Sequence, residues 1–409
     1  MVLFYFFALI VVWLGIKSLQ GGVRFLSYVH SELNKELPAF TPFASIIAPC
    51  RGLDQGLREN LGALFMQDYP AYEIIFVTED AHDPALFVIE EARKAFAGKS
   101  EVIARVVHAG RATESGQKVH NLIAAVGEAS GSSNVFVFVD TDARPQAHWL
   151  RTLVAPLADE RMGAATGYRW FIPVNAGLAS HLRAVWNASI ASALGEREDR
   201  NFCWGGSTAI RRATFEKLNM RERWRGTLSD DFTMMRVLRK ENLPIHFVPQ
   251  CLTPSLEDCT VRELFEFTTR QLKITRVYAP GFWKAILTGS LLFTLIFFGG
   301  LALVITRAAL GLSYLIPLAL LIIIFALGAA KAYVRLLAVS LPLSSYRAEL
   351  RKGLLAHLFL WPVASALYLY NALCAAFSRR ILWRGIAYEL KSPTETVIIS
   401  SQHSVVSSQ

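Results

Sequence analysis

Asp140 and Asp142 are the pair whose type and spacing bear most directly on chemistry, because two carboxylates at i and i+2 close the apolar run VFVFVD and lead into TDARP. Carboxylates so placed offer hard oxygen ligands to Mg2+ or Mn2+ and leave coordination positions open for substrate phosphates, which suits the metal complex of a nucleotide sugar. Plain turns also use this spacing, so the strand in front of the pair carries the expectation. Glu79 and Asp80 close a second apolar run, YEIIFVTED, where a carboxylate can accept from a uracil N–H or ribose hydroxyls; the alternative is an Asx-type turn before Asp83-Pro84. In Gln117-Lys118-Val119-His120-Asn121, Lys118 can pair with diphosphate oxygens and Asn121 with the nucleotide, unless both merely begin a helix.

Further along, Leu228-Ser229-Asp230-Asp231-Phe232 precedes the helical pattern FTMMRVLRK, so its aspartates suit the helix N-terminus as caps. A carboxylate there can equally take the proton of an acceptor hydroxyl as general base. Cys203-Trp204-Gly205-Gly206-Ser207 offers backbone that a sugar ring can approach and an indole to stack on it, or else a tight turn beside a core tryptophan. Arg270, Lys273 and Arg276 recur at i, i+3 and i+6 on one helical face. They read either as a solvated basic face at a lipid surface or as cations that neutralise a departing nucleotide diphosphate.

Positioning these groups requires strands. Runs rich in β-formers at 44–49, 72–79, 101–109, 134–140 and 162–168 alternate with helical patterns, which predicts a doubly wound α/β domain with a largely parallel sheet. Ligands bind such sheets beyond the carboxyl ends of the strands, so Glu79, Asp80, Asp140 and Asp142 are expected in one cleft.

The chain as a whole is too apolar for an ordinary soluble enzyme, with 53% hydrophobic residues, 18% charged residues and a mean hydropathy of +0.34. The excess is concentrated in Val2 to Ile16, Ala285 to Thr306, Leu315 to Ala330 and Leu354 to Phe377, which predicts about four membrane segments, the first an uncleaved anchor. Lys17, Arg24 and Lys35 follow that anchor, so the positive-inside rule assigns the segment from about Gly21 to Trp283 to the cytoplasm. Four crossings would leave the tail outside, against the preference of its Arg379, Arg380, Arg384 and Lys391; one block is then re-entrant or interfacial, with Leu336 to Leu343 and its Pro342 the suspect. The net charge of +9 lacks a basic stripe interleaved with aromatics, which excludes nucleic acid as the expected partner and favours the membrane surface and phosphate. Five cysteines without CxxC spacing indicate neither a zinc site nor a disulfide framework.

Taken in order, the acidic strand end, Lys-x-x-Asn, D-x-D, Gly-Gly turn, Asp-Asp helix start and basic helix resemble the family-2 glycosyltransferases, and within them the ceramide glucosyltransferase branch. The likeness spans about Ser45 to Trp283 and includes PCRGLD (49–54), QDYPAYEIIFVTED (67–80), HDPA (82–85) and KVHNL (118–122). It implies a GT-A fold and an inverting transfer of a hexose, glucose favoured, from a UDP-sugar with a divalent metal, Mg2+ or Mn2+. It further implies Asp80 or Glu79 as the first family aspartate, Asp140 as the second and Asp231 as the base, with Pro49 and Arg51 among the donor-binding residues. The family's Q/R-x-x-R-W motif is matched only by Arg270-Gln271-Leu272-Lys273-Ile274, where a lysine loses the bidentate fork and an isoleucine the aromatic platform. WRGIAYEL (383–390) resembles a W-R-G-x-x-Y segment that follows the membrane spans of related bacterial-type transferases and favours a cytoplasmic tail.

The expected organisation is an anchor (1–20), a cytoplasmic catalytic domain (40–260), an interfacial basic helix (261–284), a transmembrane region (285–377) and a basic then polar tail (378–409). The expected activity is glycolipid synthesis, with a lipid hydroxyl as acceptor at the cytoplasmic face of the bilayer. A processive polysaccharide synthase and an inactive membrane scaffold are the alternatives.

Overall fold

The structure, a computed structural model, describes residues 1–98, 101–175 and 177–401. The chain opens with α1 (Val2–Leu33) and proceeds through β1 (Ala44–Pro49), α2 (Leu57–Phe65), β2 (Tyr72–Thr78), α3 (Ala85–Ala95), β3 (Val102–His108), α4 (Gln117–Gly127), β4 (Val135–Phe138) and α5 (Trp149–Val154). There follow β5 (Ala164–Ile172), α6 (Leu178–Ala191), β6 (Thr208–Arg211), α7 (Arg212–Lys217), α8 (Met220–Trp224), α9 (Asp230–Lys240) and β7 (Ile245–Leu256). Helices α10 (Val261–Tyr278), α11 (Pro280–Ala309), α12 (Leu315–Val339), α13 (Arg347–Lys352), α14 (Leu354–Phe359) and α15 (Trp361–Phe377) come next, and β8 (Arg380–Trp383), β9 (Ile386–Ser392) and β10 (Glu395–Ser401) end the described chain. Two compact units result, one made of Glu32–Trp170, Leu194–Leu256 and Arg379–Gln409, the other of Met1–Ser31, Phe171–Ala193 and Glu257–Ser378.

The first unit is a mixed α/β fold around a seven-stranded sheet of order β3-β2-β1-β4-β6-β5-β7. The β3-β2-β1-β4 portion is parallel, whereas β6 runs antiparallel to both β4 and β5. Successive side chains on a strand point to opposite faces, and both faces here are covered, which is why the strands read as unbroken apolar runs. Ile46, Ala48, Ile74, Phe76, Val135 and Val137 meet Leu61, Leu64, Ile89 and Leu153 on one face. Ile47, Ile75, Val77, Phe136 and Phe138 meet Val119, Leu122, Trp224 and Leu238 on the other. Each of the larger side chains, fully buried, contributes about 1.5–3 kcal/mol.

The expected tail takes a different form. Residues 380–401 make a three-stranded antiparallel sheet, β10-β9-β8, that belongs to this same unit. Arg384 and Gly385, the two residues between β8 and β9, have φ of 51° and 76°, the left-handed pair that a tight hairpin turn demands. The polar stretch 402–409 lies outside the described residues.

In the second unit α1, α11 and α12 are each long and apolar enough to cross a membrane. The block expected at Leu315 to Ala330 runs on to Val339, and the suspected break at Pro342 falls in the turn beyond it. It is Leu354 to Phe377 that divides. Pro362 stands in the first turn of α15, where its ring and missing N–H bar continuation of α14, and the resulting α15 has only 17 residues. The expected basic helix is likewise split, because α10 ends at Tyr278 and Pro280 starts α11. Ala8, Val11, Ile296 and Ile324 close one apolar core of this unit, and Val185, Trp186, Leu264, Leu272 and Leu367 another.

Candidate active site

Carboxylates at the two ends of the parallel strands have different fates. At the amino end of β2, Glu73 is fully buried and consumed by Ser45, the Ser130 N–H and Arg105 at 2.5–2.7 Å. At the carboxyl ends, aspartates gather around two cations instead. Lys118, in the first turn of α4, places its Nζ 2.6 Å from Asp140 Oδ1 and 3.5 Å from Asp230 Oδ1. Arg169 of β5 bridges the D-x-D pair, with Nη2 3.2 Å from Asp140 Oδ2 and Nη1 3.0 Å from Asp142 Oδ2.

Two close backbone approaches build this cluster. The Gly116 N–H donates to the Thr227 carbonyl oxygen at 2.9 Å, and a Cβ on Gly116 would lie 2.9–3.2 Å from three Leu228 atoms; bare backbone therefore draws the start of α4 to the start of α9. At Gly205 a Cβ would stand 2.4 Å from Asp230 Oδ2 and 2.8 Å from Lys118 Nζ, so only glycine fits against this ion pair. The loop carrying Asp140 and Asp142 is fixed from α2, where Asn60 Nδ2 donates to the Thr141 carbonyl oxygen at 3.0 Å.

Electrostatics follow from the crowding. Burial alone would lower the Lys118 pKa, but Asp140, Asp230 and Asp231 together raise it above the usual lysine value. Burial would raise Asp140, yet Lys118 and Arg169 outweigh it and hold the carboxyl below the usual range. Asp230 goes the other way, pushed up to about 6 by burial and by its neighbours Asp231 and Asp140, with Lys118 opposing. Asp231 is half-buried at the start of α9, and its Oδ1 accepts from the Ser229 hydroxyl and, at 2.7 Å, from the Phe232 N–H. No described residue donates to its Oδ2.

Several expected residues receive tasks other than those foreseen. Asp80 Oδ1 accepts from the His82 N–H at 2.7 Å, the Asx-type turn that was the plainer alternative, while Glu79 pairs with Arg51 at 2.7 Å just beyond Pro49. Asn121 is 3% exposed, and within α4 its Oδ1 accepts from Gln117 Nε2 at 2.8 Å. The Trp204 indole is buried against Tyr168, with the Arg169 guanidinium 4.9 Å from its ring centroid and Gly206 packed flat on its face. It backs the arginine and offers no open platform. Arg270, Lys273 and Arg276 belong to the other unit, where Arg270 lies over Phe267, Lys273 is half-buried and Arg276 donates to the Ala375 carbonyl oxygen.

Arg169 and Arg384 are the site residues that the sequence reading passed over. Arg169 is the one charge inside the apolar strand AATGYRWFI, and that interruption was the available signal. Arg384 bonds Asp54 through both Nη atoms, at 2.6 and 2.8 Å, and lies within electrostatic reach of Asp140 and Asp142. Tyr388, from the same hairpin, accepts the Gln117 N–H at 3.1 Å.

The cluster can accommodate a divalent ion. Asp142 Oδ1 is buried without a hydrogen-bond partner, the orphaned acceptor that a cation would satisfy. Among the described residues no group of three or more His, Cys, Asp or Glu side chains converges to hold a metal.

The family model described as Glycosyl transferase family 21 matches residues 4–396. Among solved structures, mannosyltransferase PcManGT from Pyrobaculum calidifontis, in complex with GDP-Man and Mn2+, is 16% identical, with 91% of this chain and 98% of that chain covered and a TM-score of 0.47. Glucosyl-3-phosphoglycerate synthase from Mycobacterium tuberculosis, in complex with phosphoglyceric acid, is 14% identical over 58% and 84% of the two chains, with a TM-score of 0.36. Likenesses this distant transfer neither donor, metal nor acceptor.

Proposed function

The chain belongs to glycosyl transferase family 21 and is a glycosyltransferase; from that premise we propose that it moves a hexose, glucose favoured, from a UDP-sugar to a lipid hydroxyl, in the manner of the ceramide glucosyltransferases, with a GT-A-type catalytic domain on the cytoplasmic side. The family model bears the number 21 where the sequence resemblance named family 2. The observation that carries the reading is Lys118 and Arg169 held on Asp140, Asp142 and Asp230 at the carboxyl ends of the sheet. Three carboxylates against two cations leave one net negative charge, a setting for a divalent ion with a diphosphate.

Mg2+ or Mn2+ on Asp140 and Asp142 would neutralise the charge that develops on the leaving diphosphate. Lys118, exchanging its carboxylate partners for phosphate oxygens, would orient that group, and Arg169 would keep the two ligand carboxylates in register. Asp231 has one oxygen fixed by Ser229 and the helix N-terminus and the other undirected, so it is the carboxylate suited to take the acceptor proton. The acceptor oxygen then bonds to the anomeric carbon as the bond from that carbon to the UDP oxygen breaks, with inversion. Asp230, fully engaged with Lys118, is a positioning residue.

Asp231→Asn should lower kcat by about 10²–10⁴-fold, the usual worth of a positioned general base, with donor affinity unchanged. Full transfer by this variant would remove Asp231 from the role, and lost donor binding would make it structural. The lipid acceptor rests on the family resemblance and on the three helices long and apolar enough to cross a bilayer.

A further inference from the structure

Among the described residues of the membrane unit, Lys331 and Arg335 are neighbouring inward cations with no carboxylate partner. Arg335 is 4% exposed on α12, and its Nε is buried without a hydrogen-bond partner. Lys331, one turn earlier on the same face, donates to the Ser18 hydroxyl of α1 at 2.7 Å, with its stem against Gly22. The two are close enough to repel. Tyr368, within electrostatic reach of Arg335, has its hydroxyl committed to Ser189 and to the Trp186 carbonyl oxygen at 2.8–2.9 Å. His357 and, beyond it, His181 add no negative charge. The unit's paired carboxylates are spent elsewhere, Glu257 on Arg183, Glu266 on Arg262, Glu263 in the cap of α10 and Asp258 on Val174 and Asn175.

Burying two neighbouring cations without a counter-charge is costly, and in membrane segments such residues mark ligand sites. By helical rise, Arg335 and Lys331 stand about 6 and 12 Å from the end of α12 at Val339, the depth range of lipid headgroups and the upper acyl region. We propose that Lys331 and Arg335 bind the phosphate of an anionic lipid headgroup. The guanidinium would chelate the two non-bridging phosphate oxygens, one of which the ammonium would share. A zwitterionic headgroup carries the same phosphate but already balances it with its own cation.

The test uses the full-length protein in nanodiscs of phosphatidylcholine alone or mixed equally with phosphatidylglycerol, with retained lipid read by native mass spectrometry and the thermal midpoint read in parallel. Wild type is expected to retain phosphatidylglycerol and gain stability from it, while Arg335→Met and Lys331→Met each retain about tenfold less, the loss of one charge-assisted contact. In phosphatidylcholine alone Arg335→Met should be at least as stable as wild type, because it removes an uncompensated charge. Equal retention by variant and wild type overturns the proposal. So does collapse of Arg335→Met in phosphatidylcholine, which would mean that the chain itself supplies the counter-charge. A detergent sample given inorganic phosphate separates the sources: no shift fits a headgroup site, and a shift equal to that from phosphatidylglycerol reassigns the site to a free anion and overturns the lipid.

Discussion

Lys118 shows how one residue's surroundings can be more telling than its motif. Lys-x-x-Asn looked like a nucleotide-binding pair, yet the two side chains part company, Asn121 bracing Gln117 while Lys118 joins Asp140 to Asp230. Nothing in local spacing separates these outcomes, because the partners come from the loop after β4 and from α9. Arg169 was hidden for a related reason: a charge within an apolar strand looks like an interruption until its carboxylates arrive from another loop. Lys118→Met should weaken donor binding about tenfold or more, since it removes a charge-assisted contact and leaves Asp140 and Asp230 crowded; calorimetric titration with UDP checks this, and unchanged affinity would deny Lys118 its place on the diphosphate. His246 offers a pH test in the same unit. Burial would lower its pKa, but Glu198 and Glu32 raise it from the ordinary 6.5 to about 9. A raised pKa means that the native state binds the proton more tightly, so this stabilisation is full below about pH 6.5 and is lost as pH climbs through 9. It amounts to about 3 kcal/mol. The thermal midpoint should fall across that window in wild type, and much less in His246→Gln.

Among the elements, the strands before Glu79 and Asp140 were legible because both faces of a parallel sheet are buried and the code is simply continuous apolar sequence. Their ends were legible too, since polar residues stop such runs. The turn Cys203–Ser207 was readable as a close backbone approach but not as to what it approaches, which is the Lys118–Asp230 pair. Gly205→Ala should therefore cost about 1–3 kcal/mol in the unit that carries the site and depress transfer, as overpacking does. A variant with normal kcat/KM and an unshifted midpoint would contradict the packing described. The hairpin at Arg384-Gly385 was legible only as a family-like segment. Its fold depends on two consecutive positive φ angles, and its anchoring on Gln117 and Asp54, which lie 271 and 330 residues away in sequence from the groups they bind.

At the scale of the whole molecule, membrane helices were the easiest feature to read, because an unbroken apolar block of about 20 residues has few uses except to span a bilayer. The last block is the exception, since Pro362 leaves α15 with only 17 residues. The chain leaves the first unit at Glu257 and rejoins it at Arg379, so Glu114 and Lys391 belong to one compact unit. A cysteine placed at Lys391 and one placed at Glu114 should thus be labelled by an impermeant reagent from the same face, and opposite labelling would break the first unit apart. The central claim is glycosyl transfer to lipid. Purified protein incubated with a panel of UDP-sugars, Mg2+ or Mn2+ and extracted membrane lipids should yield a lipid heavier by one hexose, absent with Asp231→Asn; a soluble sugar polymer, or no product from any donor, would contradict the account.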